Sequence, residues 1–273
     1  MPAPATLKPR AIVLSGYGLN CEDESELALR HNGASVTIMH INDLIENPKA
    51  LDEFQIMLIP GGFSFGDDTG SGNAYAHKLR NHLLDAVLGF VARDTLTLGI
   101  CNGCQILARL GLVPGYEQAE KGRKIAVLHN SSNRYQCRWV DVQASNSNSP
   151  WLRGIERMHI PVAHGEGNMV MTPETLAYMN ENKLVGLRYI QADGSPANGQ
   201  FPANPNGATE DIAAVTDVTG RVMAMMPHPE RGMFFTQRDD WTRLKRAYKD
   251  AGQPLPLESD GMAIFKNAVG YFA

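Results

Sequence analysis

Four short apolar runs, each closed by a turn or followed by a helical pattern, constrain this chain most. Ala11-Ile12-Val13-Leu14 ends at Ser15-Gly16, residues 34–40 are rich in β-branched side chains, residues 55–59 stop at Pro60-Gly61-Gly62, and residues 95–100 run into Cys101. Runs this short and this apolar suit strands buried on both faces. Between them, residues 22–31 carry Leu27 and Leu29 among polar residues before Gly33, and residues 73–93 place Leu79, Leu83, Val87 and Phe90 at three- and four-residue steps. That spacing marks one face of a helix. Residues 106–110, before Gly111, read as the remainder of a helix that begins just past Cys101. Strands alternating with helices build a three-layer α/β fold, a mostly parallel sheet with helices on both faces.

The second half is less periodic. Residues 124–142 hold strand-like stretches that suggest a hairpin, and residues 184–190, 212–218 and 222–226 read as strands. Residues 193–207, rich in Gly, Pro, Asn and Ala, read as a loop, and residues 239–251 as a polar helix with Trp241, Leu244 and Tyr248 on one side. No repeat or linker divides the chain. The expectation is a frayed Pro-rich leader over 1–9 and one domain over 10–273, with 233–260 an extended segment of unassigned role.

Composition narrows the function classes. Hydrophobic residues make up 43% of 273, enough for a substantial core, and the net charge of −4 gives no global field to recruit nucleic acid or an acidic membrane. No apolar run reaches the roughly 18–20 residues of a membrane span, and the N-terminus lacks the apolar region of a signal peptide. The four cysteines, Cys21, Cys101, Cys104 and Cys137, are too few for a disulfide scaffold in so large a chain. Reduced thiols in the cytoplasm are the expectation.

The strongest chemical signal is Gly99-Ile100-Cys101-Asn102-Gly103, a strand, a G-x-C-x-G turn and a helix. This is the nucleophile-elbow pattern with cysteine in the place of serine. The sharp turn brings the positions two before and two after the nucleophile together, where glycine avoids a clash. The helix N-terminus aims unpaired N–H groups at the sulfur and favours thiolate. A base and its orienter are offered by His228-Pro229-Glu230: in extended backbone, residues two apart face the same way. Glu230 would hold the imidazole tautomer, and His228 would move the proton between Cys101 and a leaving group. Oxyanion donors are expected from the Asn102 N–H and from the glycine turn at Gly61-Gly62.

Competing readings explain less. Cys101-Asn102-Gly103-Cys104 also fits a C-x-x-C redox site, which leaves the flanking glycines and the His-Pro-Glu unit without a role. Gly16-Tyr17-Gly18 begins like a dinucleotide loop, but Cys21 stands at the third glycine position. There is no P-loop, and the eight histidines show no metal-ligand spacing, so no metal is expected. Arg134, Tyr135, Arg138 and Trp139 suit a strand at a protein interface better than a nucleic-acid patch, and the basic face of Arg238, Arg243, Lys245, Arg246 and Lys249 suits solvent.

With these motifs in order, the sequence resembles the class I, triad-type glutamine amidotransferases, whose fold is flavodoxin-like. The resemblance runs from about Arg10 to Arg231. It rests on Gly99 to Gln105, on Pro60-Gly61-Gly62-Phe63-Ser64-Phe65-Gly66-Asp67, on Pro161-Val162-Ala163-His164-Gly165-Glu166-Gly167, on Asn204-Pro205-Asn206-Gly207, and on Met225 to Arg231. The flanking text is narrower and is similar to the glutaminases that serve de novo purine biosynthesis. The resemblance implies Cys101 as nucleophile, His228 and Glu230 as its partners, and Gly62 and Asn102 as oxyanion donors. It also implies Gln105, with the backbone around Ala163, Gly165 and Glu166, as the seat of the α-amino and α-carboxyl groups of L-glutamine. It further implies no cofactor on this chain, and a synthetase partner that uses ATP and magnesium to amidate formylglycinamide ribonucleotide. A small third subunit is left open. Gly16-Tyr17-Gly18-Leu19-Asn20 departs from the more usual Pro-Gly-Ser-Asn opening, and residues 68–72 vary the loop after Gly66-Asp67.

Overall fold

The strand signals resolve into a nine-stranded sheet and a separate two-stranded one. The computed structural model describes residues 8–145 and 148–273, so the expected leader over 1–9 lies outside them but for its last two residues. The early strands are β1 (Arg10–Ser15), β2 (Ser35–His40), β3 (Ile56–Ile59) and β4 (Leu96–Ile100). Then follow β5 (Ala126–His129), β6 (Gln136–Ala144), β7 (Arg157–His164), β8 (Glu166–Val170), β9 (Val185–Ile190), β10 (Ile212–Thr216) and β11 (Val222–Met225). The large sheet runs β2-β1-β3-β4-β11-β10-β9-β6-β7. Its pairs are parallel from β2 to β11 and antiparallel from β11 to β7.

The parallel half positions the chemistry. The chain leaves β1 through α1 (Glu22–His31) toward β2, and leaves β3 through α3 (Asn73–Ala92) toward β4, on the opposite side. Right-handed crossovers then put α1 and α3 on opposite faces. The strand order reverses between β1 and β3, and the crevice beyond the carboxyl ends of strands at such a reversal is where open α/β sheets bind ligands. Helix α3 buries the expected Leu79, Leu83, Val87 and Phe90, together with Tyr75 and Ala76, and packs on α4 (Asn102–Leu110). Acidic Glu22, Asp23 and Glu24 begin α1, and Arg30 and His31 end it, both favourable to the helix dipole.

The second half differs from expectation in pairing. Residues 124–142 do not form a hairpin: β5 pairs with β8, while β6 pairs with β7 and β9. Alternation identifies a strand but not its partner. Four helices escape the sequence reading: α2 (Ile41–Glu46), α5 (Tyr116–Glu120), α6 (Pro173–Glu181) and α8 (Met262–Gly270), with the polar α7 (Trp241–Asp250) lying between the last two. Helix α6 does carry its start signals, a Thr172 side chain accepting from the Thr175 N–H and Pro173 in the first turn.

The 233–260 segment is a closed excursion. Phe235 N–H donates to Leu257 O at 3.0 Å and Ser259 N–H to Met233 O at 2.7 Å, so its ends are zipped together. The chain then enters α8, which buries Met262, Ile264, Phe265, Ala268 and Val269, packing on α1 and on the 229–231 turn. One apolar cluster runs from Ala11 to Val269. Among the described residues no helix is long and apolar enough to cross a membrane.

Candidate active site

Cys101 lies at the joint between β4 and α4, with φ 51° and ψ −102°. A side chain rarely takes this backbone, and the strain has the form of the elbow. The glycines on either side are sterically required. A Cβ on Gly99 would stand 2.5 Å from Gly103 O, and one on Gly103 would collide with the Ile59 carbonyl oxygen. Cys101 is 5% exposed, and its thiol lies 3.6 Å from Ala163 O.

His228 and Glu230 follow β11, the neighbour of β4. Pro229–Arg231 forms a 3-10 turn rather than the extended backbone expected, because Pro229 takes the first position of the turn. The turn still brings His228 Nδ1 to 2.5 Å from Glu230 Oε1, with both residues buried. The His228 N–H donates to Pro161 O at 2.8 Å, which ties the turn to β7. Burial works against an imidazolium here, but the Glu230 carboxylate and the Cys101 sulfur outweigh it and hold the His228 pKa well above the usual range. Cys104, one helical turn beyond the elbow, is sealed: burial first, and Cys101 second, push its thiol far up. That is the opposite of what a redox partner needs.

Before the elbow, Gly61 and Gly62 run beside the turn after β1. Gly61 O accepts from Asn20 N–H at 3.0 Å and Cys21 N–H at 3.3 Å, and Gly18 O accepts from Phe63 N–H at 2.8 Å. A Cβ on Gly62 would collide with the Gly18 carbonyl oxygen. Among the described residues the Gly62 N–H donates to no backbone carbonyl. Gly62 lines a cavity of about 160 Å³ that Cys101, Gln105, Ala163, Gly165 and Glu166 also line.

The expected glutamine-binding positions therefore surround one cavity, though their side chains are already engaged. Gln105 Nε2 donates to Glu166 O at 2.7 Å, and Gln105 Oε1 accepts from Asn102 Nδ2 at 2.8 Å. Gly165 O accepts from Asn130 N–H. Asn102 Oδ1 accepts from Ser64 N–H at 3.1 Å, joining the elbow to the loop after Gly62.

On the wall, Asp67 and His164 were not singled out by sequence, and both stand near expected residues. Glu166 Oε2 accepts from Ser71 N–H at 3.2 Å. Burial, partly offset by the Ser71 hydrogen bond and reinforced by Glu166, raises the Asp67 carboxyl. Two acidic groups at one mouth favour a cationic head such as an α-ammonium. His164 is buried, with Nδ1 3.0 Å from Asn130 Oδ1; burial and the neighbouring His228 depress its pKa to about 3, so it stays neutral. Both residues lie inside quoted motifs, and only their placement reveals them. Cys21 is the larger omission. Its sulfur lies within 4.8 Å of donor atoms of His228 and Glu230, a grouping that could hold a metal. The Arg231 guanidinium, 3.0 Å from that sulfur, already supplies a cation there.

Comparison with known proteins gives one picture. Residues 8–272 match the family described as CobB/CobQ-like glutamine amidotransferase domain. A phosphoribosylformylglycinamidine synthase subunit PurQ from Methanococcus maripaludis is 43% identical over 266 residues, covering 97% of each chain. One from Dehalococcoides mccartyi is 38% identical, covering 96% of this chain and 97% of that protein. Among solved structures, PurLQS from Thermotoga maritima superposes with a TM-score of 0.70 at 29% identity, over 98% of this chain and 100% of that one. A glutamine amidotransferase from Methylobacillus flagellatus shares the fold at 14% identity and a TM-score of 0.51, over 97% and 95% of the two chains.

Proposed function

The chain belongs to the CobB/CobQ-like glutamine amidotransferase domain family, and from that premise we propose that it is the glutaminase subunit of a phosphoribosylformylglycinamidine synthase. The observation that carries the reading is a cysteine on a strained elbow that lines the cavity, with a buried histidine beside its sulfur and bonded to a buried carboxylate.

In this reading Cys101 attacks the γ-amide carbon of glutamine. The developing oxyanion is held by the N–H groups of Gly62 and Asn102. His228, held in tautomer by Glu230, gives a proton to the departing nitrogen, and ammonia leaves behind a γ-glutamyl thioester on Cys101. Water, deprotonated by His228, attacks the thioester carbonyl; glutamate departs, and the thiol is restored. Each turnover consumes one glutamine and one water and yields one glutamate and one ammonia. Gln105 braces the backbone at Glu166, while the backbone around Ala163 and Gly165 and the acidic pair Asp67 and Glu166 seat the amino-acid head group.

Residues 10–273 act as one domain, and the ammonia passes to a separate synthetase subunit. That partner carries the ATP and magnesium needed to amidate formylglycinamide ribonucleotide. The likeness to PurLQS from Thermotoga maritima supports such an assembly, including a small third subunit. Cytoplasmic location fits the reduced cysteines, since Cys21, Cys101, Cys104 and Cys137 are all unpaired thiols. The test is turnover by the chain assembled with its synthetase, comparing glutamine with ammonium as nitrogen donor. Cys101→Ala is expected to abolish product formation from glutamine and to spare it from ammonium. Loss of both in an intact complex refutes the division of labour.

A further inference from the structure

Behind the catalytic face, Cys21 and Arg231 close a ring of contacts that the reaction scheme leaves unused. Cys21 immediately precedes α1, where its carbonyl accepts from the Ser25 hydroxyl at 2.6 Å and the Ser25 N–H at 3.2 Å. This anchors it to the first helical turn. Its own N–H, with that of Asn20, holds Gly61 O. In a planar trans peptide the carbonyl and the following N–H point opposite ways. Fixing Gly61 O on the α1 side therefore fixes the direction of the Gly62 N–H.

The same cysteine touches the triad side. A Cβ on Gly61 would stand 2.7 Å from His228 Cε1, 3.3 Å from His228 Nδ1 and 3.3 Å from Cys21 Sγ, so thiol, glycine and imidazole fill one space. Arg231, which follows Glu230 in the same 3-10 turn, donates from Nη2 to Cys21 Sγ at 3.0 Å. The ring runs from His228 through Glu230 to Arg231, across to Cys21, and back through Gly61 to His228. Glu230 Oε2 and His228 Nε2 are buried without hydrogen-bond partners among the described residues. Apart from the Nδ1 bond, the Cys101 and Cys21 sulfurs beside the ring and the packing at Gly61 hold the imidazole.

We propose that Arg231 and Cys21 are positioning residues for glutamine hydrolysis, acting together to keep the Gly62 N–H and the His228 ring in register with Cys101. This rests on the glutaminase reading of Cys101 and His228. Neither residue lines the cavity, so their contribution falls on kcat and not on substrate binding. The ionisable groups around His228 are Glu230 and Arg231 on its own turn, Cys101 at α4, Cys21 before α1, Tyr135 before β6 and His164 at the end of β7.

The experiment uses the assembled synthase with Arg231→Met, Arg231→Lys, Cys21→Ala and the Arg231→Met/Cys21→Ala double variant. Arg231→Met and Cys21→Ala are each expected to lower glutamine-dependent kcat roughly 10- to 100-fold, the scale of a misplaced catalytic group, with KM within about threefold. Ammonium-dependent synthesis is expected to stay at the wild-type rate. Arg231→Lys, which keeps a donor for the sulfur, is expected to recover most of the loss. The double variant is expected to be no worse than the weaker single, as members of one unit are non-additive. A parallel fall in ammonium-dependent synthesis, a loss carried by KM alone, or a double-variant loss equal to the product of the singles overturns the proposal. Cys101→Ala separates the two readings. If it still releases ammonia from glutamine, the triad assignment fails; if it is inactive while Arg231→Met and Cys21→Ala match wild type, only the positioning role fails.

Discussion

Gly61→Ala is expected to disable glutamine hydrolysis without unfolding the protein. The added methyl would sit 2.7 Å from His228 Cε1. Restoring an ordinary contact of 3.4 Å requires about 0.7 Å of movement, on a scale where 1 Å of misplacement costs about 100-fold in rate. The imidazole cannot swing aside, because His228 is 1% exposed and its Nδ1 is held by Glu230. If the Gly61-Gly62 peptide yields instead, the bonds from Asn20 and Cys21 to Gly61 O stretch and the Gly62 N–H turns with them. Either movement displaces a group the reaction needs, so kcat should fall on the order of 10- to 100-fold with KM little changed. Ammonia release is measured by a coupled glutamate assay, alongside thermal melting. A normally folded Gly61→Ala protein with wild-type kcat would refute the geometry.

Other variants probe the same account. Cys101→Ala should eliminate hydrolysis, whereas Cys104→Ala should keep most of it, since that thiol is sealed in α4; steady-state assays of both decide the matter. Glu230→Gln should slow turnover less than Cys101→Ala does and should lower the His228 pKa, because the amide keeps a hydrogen bond but not the charge; the pH–rate profile reads this. His159 lies 3.3 Å from Asp141 Oδ1 and 3.0 Å from Asp239 Oδ1, and although burial opposes it, these carboxylates raise its pKa above 6.5. The stability it contributes is complete below pH 6.5 and is lost as pH rises through the folded value. The gap in melting temperature between wild type and His159→Gln should therefore narrow on going from acid to alkaline buffer. Gly89→Ala, in α3 with open space around the new methyl, should stabilise by about 1 kcal/mol, seen as roughly 2–4 °C in melting temperature.

The parallel half was legible because its physics is local. Strands buried on both faces must be continuously apolar, and α3 shows its buried face at helical spacing. Strand β7 was hidden by Pro161. It is the last strand of the sheet, and an edge tolerates a residue that cannot donate to a neighbour. Helix α8 was missed for a different reason: Lys266 and Asn267 are its only polar side chains, too few to mark an exposed face at helical spacing. In the proposed site, Cys101, His228 and Glu230 could be picked out because an elbow glycine or a proline turn sits at fixed spacing from each side chain. Cys21 gives no such signal. It ends a glycine turn that resembles a failed dinucleotide loop, and 210 positions separate it from the Arg231 it contacts. Only the adjacency of β1, β3, β4 and β11 brings those turns together.

The most direct test of the central claim is covalent labelling with a glutamine-like electrophile, a diazo- or chloroketone analogue, followed by peptide mass spectrometry. One glutamine-protected label per chain is expected, on Cys101, absent from Cys101→Ala, with the buried Cys21 and Cys104 unmodified. A label on Cys104 or Cys21 that glutamine protects, or undiminished glutamine-protected labelling of Cys101→Ala, would contradict it.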